Sequence, residues 1–197
     1  MWTEFATSSR RLRTDSLDNL ETPPCHNIER VSSHRVLGVI LNNRLTATNH
    51  IDQLLSSCSS LLYALRVLRS HGVPSTSLQD VFLAIIVAKI IYCAPAWAGI
   101  CSAADRLRLD RFLNRCKRTG FCATDLPSVT ELYNDADDAL FETIMSNSAH
   151  TLQPYLPERP ELTYNPRERS HNRSLITKAT DLTDRDFIIR MLYKSSY

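Results

Sequence analysis

Between Ser102 and Gly120 the chain carries six basic side chains, Arg106, Arg108, Arg111, Arg115, Lys117 and Arg118, against two acids, Asp105 and Asp110. Guanidinium groups recurring at steps of three and four share one face of a helix, where their forked donors suit phosphate oxygens. Such a face can hold a nucleic acid by its backbone. The same pattern also describes a solvated helix neutralised by an acidic neighbour, because charge runs mostly lie at protein surfaces. That neighbour exists: residues 121–150 hold six acids, Asp125, Glu131, Asp135, Asp137, Asp138 and Glu142, and neither Lys nor Arg. The candidate phosphate contacts are Arg108, Arg111, Arg115, Lys117 and Arg118.

Other chemistry finds less support. Hard divalent metals need converging carboxylates, and Asp135-Ala136-Asp137-Asp138 lacks flanking apolar strands. It sits where a helix is expected to start, a place in which the macrodipole favours each acid by about 0.3–1 kcal/mol. The cysteines Cys25, Cys58, Cys93, Cys101, Cys116 and Cys122 do not form the short-spaced pairs of a zinc site. Three of them fall on apolar helical faces and no secretory signal precedes them, so we expect reduced thiols in an intracellular protein, nuclear or cytoplasmic. The four glycines are scattered at Gly38, Gly72, Gly99 and Gly120, which excludes the clustered-glycine loops that cradle phosphates. No Gly-x-Ser-x-Gly elbow and no His-Glu-x-x-His pair occurs. Net charge is only +2, so its distribution, not its sum, bears on partners.

The elements that must position these residues are mostly helices. At 197 residues and 43% hydrophobic, the chain can form one domain with a modest core. Residues 1–27 are polar and read as a poorly ordered leader. Residues 28–46 read as a β-hairpin, with strands at Ile28–Val31 and Val36–Leu41 around a turn at Ser32-Ser33. Residues 47–152 read as a helical bundle. Its first helix starts at a Thr48 or Asn49 cap and buries Ile51, Leu54, Leu55, Cys58, Leu61, Leu62, Leu65 and Leu68. The second, Leu78 to Trp97, is apolar on every side, is capped by Ser75 or Ser77, and needs wrapping by other helices or by lipid. Lys89 argues against lipid, since a charge at a bilayer centre costs roughly 2.5–3.5 kcal/mol, and Pro95 kinks or ends the helix near Cys93 to Ala94. We expect no membrane partner. The basic helix opens at Ser102 and buries Leu109, Phe112, Leu113 and Cys116; Ser128-Val129-Thr130-Glu131 opens a short helix, and Asp137 or Asp138 starts another. In residues 153–197, prolines at 154, 157, 160 and 166 predict an extended segment over 153–174 before a docking helix in Asp181 to Tyr197.

Arg35-Val36-Leu37-Gly38-Val39, then Leu41-x-x-x-Leu45 and His50-Ile51, resembles the primer-grip hairpin of non-LTR (LINE-type, jockey- and CR1-like) retrotransposon reverse transcriptases, in which a Tyr-Leu-Gly-Val strand leads into the helical thumb. Later landmarks are similar in order and spacing: Tyr92-Cys93-Ala94-Pro95-Ala96-Trp97, Asp110 to Gly120, Pro127 to Tyr133, Arg167 to Asn172, and Phe187 to Leu192. The likeness spans roughly residues 28–197. Thr3-Glu4-Phe5 is similar to a Lys-Thr-Glu-Phe element of these polymerases, with Trp2 at the place of the lysine, a candidate proton donor to pyrophosphate. Val36 replaces the usual aromatic, which weakens the grip.

The resemblance implies a mainly α fold, with a thumb-like helical bundle preceded by a short β-hairpin and followed by a Pro-rich extended tail with a terminal helix. It implies a primer-grip-like role for Val36, Leu37, Gly38 and Val39, and an RNA or DNA template-primer as partner. The metal-holding aspartates of the family lie on strands before the primer grip, so the chain is expected to be no enzyme on its own and to need no cofactor. Magnesium is implied only for an intact polymerase, whose palm and fingers would be a further partner. Asp135-Ala136-Asp137-Asp138 echoes the family's aromatic-x-Asp-Asp without its aromatic and on the wrong side of the grip. Two functions follow: a nucleic-acid-contacting fragment of a polymerase, or a structural or protein-interaction remnant that binds no nucleic acid.

Overall fold

Gly38 interrupts the apolar run Val36–Leu41 and decides where the chain turns. In the computed structural model, which describes residues 29–159 and 171–194, β1 (Ser33–Val36) pairs antiparallel with β2 (Val39–Asn42), Ser33 opposite Asn42 and Val36 opposite Val39. Leu37 and Gly38 join them at φ of +48° and +90°, the double left-handed geometry of a tight two-residue hairpin turn. The hairpin is present, but its turn is not at Ser32-Ser33, and Glu29 to Val31 form no strand. Two strands alone are marginal in water. Here Val39 enters the core, and the Ile40 N–H donates to His50 Nδ1 (3.4 Å) on the following helix.

That helix, α1 (Thr48–Ser70), is preceded by Ala47, not capped by Thr48 or Asn49. Tertiary partners take both side chains: the Thr48 hydroxyl donates to Asp105 (3.1 Å) and Asn49 accepts from Asn42 (3.2 Å). Ile51, Leu54, Cys58, Leu62 and Leu65 are buried as the spacing predicts, with His50 beside them, while Leu68 is exposed.

The long apolar stretch is α2 (Ser75–Val81), a π-helical segment (Phe82–Val87) and α3 (Ala88–Ile91), entered from Pro74 without the expected serine cap. The expected wrapping on every side is not found: it is buried on one face only. Leu78, Phe82, Ile86 and Ile90 are at most 1% exposed, whereas Leu83 and Ile85 are each 45% exposed. The inward residues recur at steps of four, which drift by about 40° per step in a helix of 3.6 residues per turn. The wider i→i+5 winding of the π segment offsets that drift and keeps them on α1. By length and composition Ser75–Ile100 could cross a membrane; Cys93, at φ +52°, divides it. As expected, the helix ends there, and α4 (Ala94–Trp97) buries Trp97, whose ring meets His50 and Tyr133 edge-on at centroid distances of 4.8 and 5.2 Å.

After a 3-10 turn (Ala98–Ile100), Ser102 caps α5 (Ala103–Arg118), its hydroxyl accepting from the Asp105 N–H at 3.1 Å. Leu109, Phe112, Leu113 and Cys116 are buried as expected. The capping box of Ser128 and Glu131 opens α6 (Val129–Ser146), which runs unbroken. The predicted restart at Asp137 or Asp138 is wrong: no Gly or Pro interrupts the segment, and Asp137 is mid-helix and buried rather than at a solvated start.

The tail makes a 3-10 turn at Gln153–Tyr155, where an extended chain was expected, and follows no regular structure over residues 171–179. α7 (Asp181–Arg185) and α8 (Phe187–Tyr193) close the fold; α8 docks on α6, where Met191 and Leu192 join Phe141, Ile144 and Leu156 in a second apolar cluster. The fold is mainly helical with a short hairpin before the bundle, as predicted. The expectations for residues 1–28, including Trp2 to Phe5, for residues 160–170 and for residues 195–197 lie outside the described residues.

Arg190 donates to Asp137 (2.7 Å), which is almost fully buried, whereas Lys194 meets Asp138 (2.7 Å) at a carboxylate whose side chain is 56% exposed. Breaking a buried pair strands a charge, while an exposed pair is worth little. Asp137→Ala is expected to cost about 3 kcal/mol in urea unfolding and Asp138→Ala less than about 1 kcal/mol. Equal losses would contradict this difference in burial.

Candidate nucleic-acid interface

Arg108, Arg111, Arg115 and Arg118 follow one another at steps of three, four and three along α5, which keeps them on one flank beside the buried stripe. They line a shallow groove of about 350 Å³ against Leu55 and Ser59 of α1, with Phe112 at its floor. Arg111, Arg115 and Arg118 are exposed, and none has an ion-pair partner among the described residues. The Arg115 guanidinium lies 5.5 Å from the centre of the Phe112 ring, close enough for a cation–π contact that orients it. Arg108 differs: it pairs with Asp52 of α1 and with Asp105 (3.3 Å), and the Asp52 hydrogen bond raises its pKa further. It fastens α5 to α1 and forms the fixed end of the row. Lys117 leaves the row, donating its Nζ to the Leu126 carbonyl. Arg106 likewise turns inward, to the Ala98 carbonyl at 3.0 Å.

The carboxylates with a defined partner are held away from the row. Asp110 accepts from the Val129 N–H (2.9 Å), and Glu131, its pKa lowered chiefly by the Ser128 backbone N–H, accepts from that N–H at 2.7 Å. Asp137 and Asp138 pair with Arg190 and Lys194 of the tail. Among the described residues no carboxylate of 125–142 pairs with Arg108, Arg111, Arg115 or Arg118. Sequence spacing reveals neither the tail pairs nor the Asp52 partner of Arg108, since those contacts join residues more than fifty positions apart.

Val36, Leu37, Gly38 and Val39 come together as the tip of the hairpin, with Leu37 85% exposed. Tyr92 supports this tip from α3, donating its hydroxyl to the Leu37 carbonyl at 3.1 Å, and a Cβ on Gly38 would stand 3.2 Å from its ring. The sequence offers no sign of that support, since Tyr92 closes an apolar run and opens a motif of the resemblance more than fifty positions from Leu37. Beneath the hairpin, burial lowers the His50 pKa, and Arg35 and Lys89 lower it further. Burial pushes the Cys58 thiol up to about 11 and Cys116 to about 12. Both remain thiols at neutral pH and are poor nucleophiles. Among the described residues no group of three or more His, Cys, Asp or Glu is arranged to hold a metal ion.

Comparison with protein-family models, with characterised proteins and with solved structures finds no match for this chain. Fold and site together define a mainly helical module with an arginine row, braced at Arg108 and exposed at Arg111, Arg115 and Arg118, and a hairpin tip braced by a tyrosine.

The His50 shift sets a pH dependence. With a folded pKa below the ordinary 6.5, the unfolded chain binds more protons between the two values, so stability rises with pH in that window. Stability should be indifferent to this group above pH 6.5 and fall as pH drops below it. In urea midpoints measured against pH, His50→Gln is expected to flatten the acid slope; an unchanged slope would rule out a buried neutral imidazole.

Proposed function

We propose that this chain is a nucleic-acid-contacting module, the thumb-like C-terminal part of a non-LTR retrotransposon reverse transcriptase, without polymerase chemistry of its own. The observation that carries the binding is the row Arg111, Arg115 and Arg118, exposed in one groove with no ion pair, among the described residues, to the acids of the next segment. Leaving strong donors unpaired costs little at a surface, and phosphate oxygens are their natural acceptors. From Arg111 to Arg118 the row extends about 10 Å at 1.5 Å per residue, enough for successive phosphates of one strand. Such contacts set position and register and carry no base sequence. The assignment to a polymerase family rests on the order and spacing of the motifs around Leu37-Gly38, Pro95, Gly120 and Ser128. In that setting the hairpin tip would place the primer, the bundle would hold the template-primer duplex, and the palm and fingers would bring the carboxylates and magnesium.

Arg108 favours the alternative in part. Its two carboxylate partners make it a brace between α1 and α5, the role that a structural or protein-interaction remnant would need. Salt dependence separates the readings. Binding of the full chain to a primed duplex should weaken steeply with salt, and Arg111→Ala with Arg115→Ala should lower the log–log slope by about 2. Lys117→Ala should leave that slope nearly unchanged. Absence of salt-sensitive binding at low ionic strength would leave only the structural reading. Extension of a primed template by this chain with magnesium and nucleotides would overturn the non-catalytic assignment.

A further inference from the structure

We infer that a second basic cavity, on the opposite flank of α1 from the arginine row, is a binding site for a phosphomonoester group. The cavity, about 350 Å³, lies between the hairpin, α1 and α3, and Arg35, His50, Gln53, Ser57, Lys89 and Tyr92 line it. Its cations come from three separate elements, Arg35 from β1, His50 from α1 and Lys89 from α3, so the tertiary fold and not a local charge run assembles them. No carboxylate lines it, and among the described residues neither Arg35 nor Lys89 has an ion-pair partner. The field of these two cations reaches His50, where each opposes protonation of the ring. Like charges gathered around one space repel, and an anion placed among them removes that cost.

The donors point to a phosphate rather than a carboxylate. A guanidinium fork, an ammonium, the Gln53 amide and the Ser57 hydroxyl offer more N–H and O–H groups than two carboxylate oxygens can accept. A phosphomonoester brings about −1.5 to −2 charges and three strong acceptor oxygens. The Ile40 N–H occupies His50 Nδ1, which leaves the neutral ring its proton on Nε2. The volume is at the small end of ligand sites, enough for a phosphate with its sugar, and Leu54 and the Tyr92 ring supply apolar wall. On α1 the lining residues His50, Gln53 and Ser57 follow one stripe, while Leu55 and Ser59 face the arginine groove on the other flank. The two sites therefore share no lining residue, and this inference does not rest on the arginine-row contact.

The phosphomonoester can belong to a free mononucleotide or to the phosphorylated end of a nucleic acid. Calorimetric titration of the full chain at low salt with adenosine 5′-monophosphate and with adenosine tests the first source. A short oligonucleotide with and without a 5′-phosphate tests the second. At least one phosphorylated probe should bind about tenfold more tightly than its unphosphorylated partner, and Arg35→Gln and Lys89→Gln, both at exposed positions, should each remove most of that gain. Arg111→Ala with Arg115→Ala should preserve the gain, and in proton spectra saturation should raise the His50 pKa, since the anion offsets Arg35 and Lys89. A gain with the mononucleotide alone or with the oligonucleotide alone identifies the source. No gain with either probe, or a gain that survives both glutamine substitutions in chains of unchanged melting temperature, would overturn the site.

Discussion

The packing of α1 is the constraint on which both basic surfaces depend. A helix with a single apolar stripe buries one face, and Ile51, Leu54, Cys58, Leu62 and Leu65 commit that face to the core. Burying each leucine or isoleucine contributes about 1.5–3 kcal/mol, so the orientation of α1 is strongly set. Its two flanks must then border whatever packs on either side. On one flank α5 supplies Arg111, Arg115 and Arg118; on the other, the hairpin and α3 supply Arg35 and Lys89. Rotation of α1 would deform both grooves at once, and polar bonds oppose it: Thr48 and Asp52 bind Asp105 and Arg108 of α5, while His50 accepts from β2.

Charge is separated by tertiary pairing rather than by sequence distance. The acidic segment directly follows the basic helix, and simple proximity would make them partners. Instead α6 turns Asp137 and Asp138 toward α8, where Arg190 and Lys194 take them. The Asp137–Arg190 pair lies beside the apolar cluster of Phe141, Ile144 and Met191, so tail docking combines area burial with the need to keep a buried carboxylate satisfied. Arg111, Arg115 and Arg118 of α5 stay exposed, outside these pairs.

Much of the helical order was legible because it rests on local rules. The stripe of α1, the Ser102 and Ser128 caps and the stop at Gly120 each depend on residues within one or two turns, and each formed where spacing placed it, except that Leu55 and Leu61 are only partly buried and Leu68 is exposed. The errors have a common cause in contacts that spacing cannot see. Thr48 and Asn49 looked like caps, but Asp105 and Asn42 claimed them. Asp137 looked like a helix start because acids favour such places, but Arg190 lies across from it in the middle of α6. The hairpin turn was misplaced because Gly38 was read inside an apolar strand, although its freedom at positive φ was the stronger signal. Of the site, the arginine row was readable by period, whereas the loss of Lys117 to Leu126 and the bracing of Arg108 were not.

The bracing of Arg108 bears on how the rest of the row works. Arginine carries a large rotamer entropy, and ordering it on a phosphate offsets part of each contact. A row whose first member is already fixed to Asp52 and Asp105, and whose third lies over the Phe112 ring, has surrendered some of that freedom in folding. Arg111 and Arg118 retain theirs. On the proposed reading, the fixed members would hold the helix and set its spacing against a strand, while the free ones would adjust to phosphates whose positions vary with sequence. This division accounts for the combination of a rigid α1–α5 contact and exposed guanidinium groups on a single helical flank. It is the arrangement that the proposed contact with a nucleic-acid backbone would use.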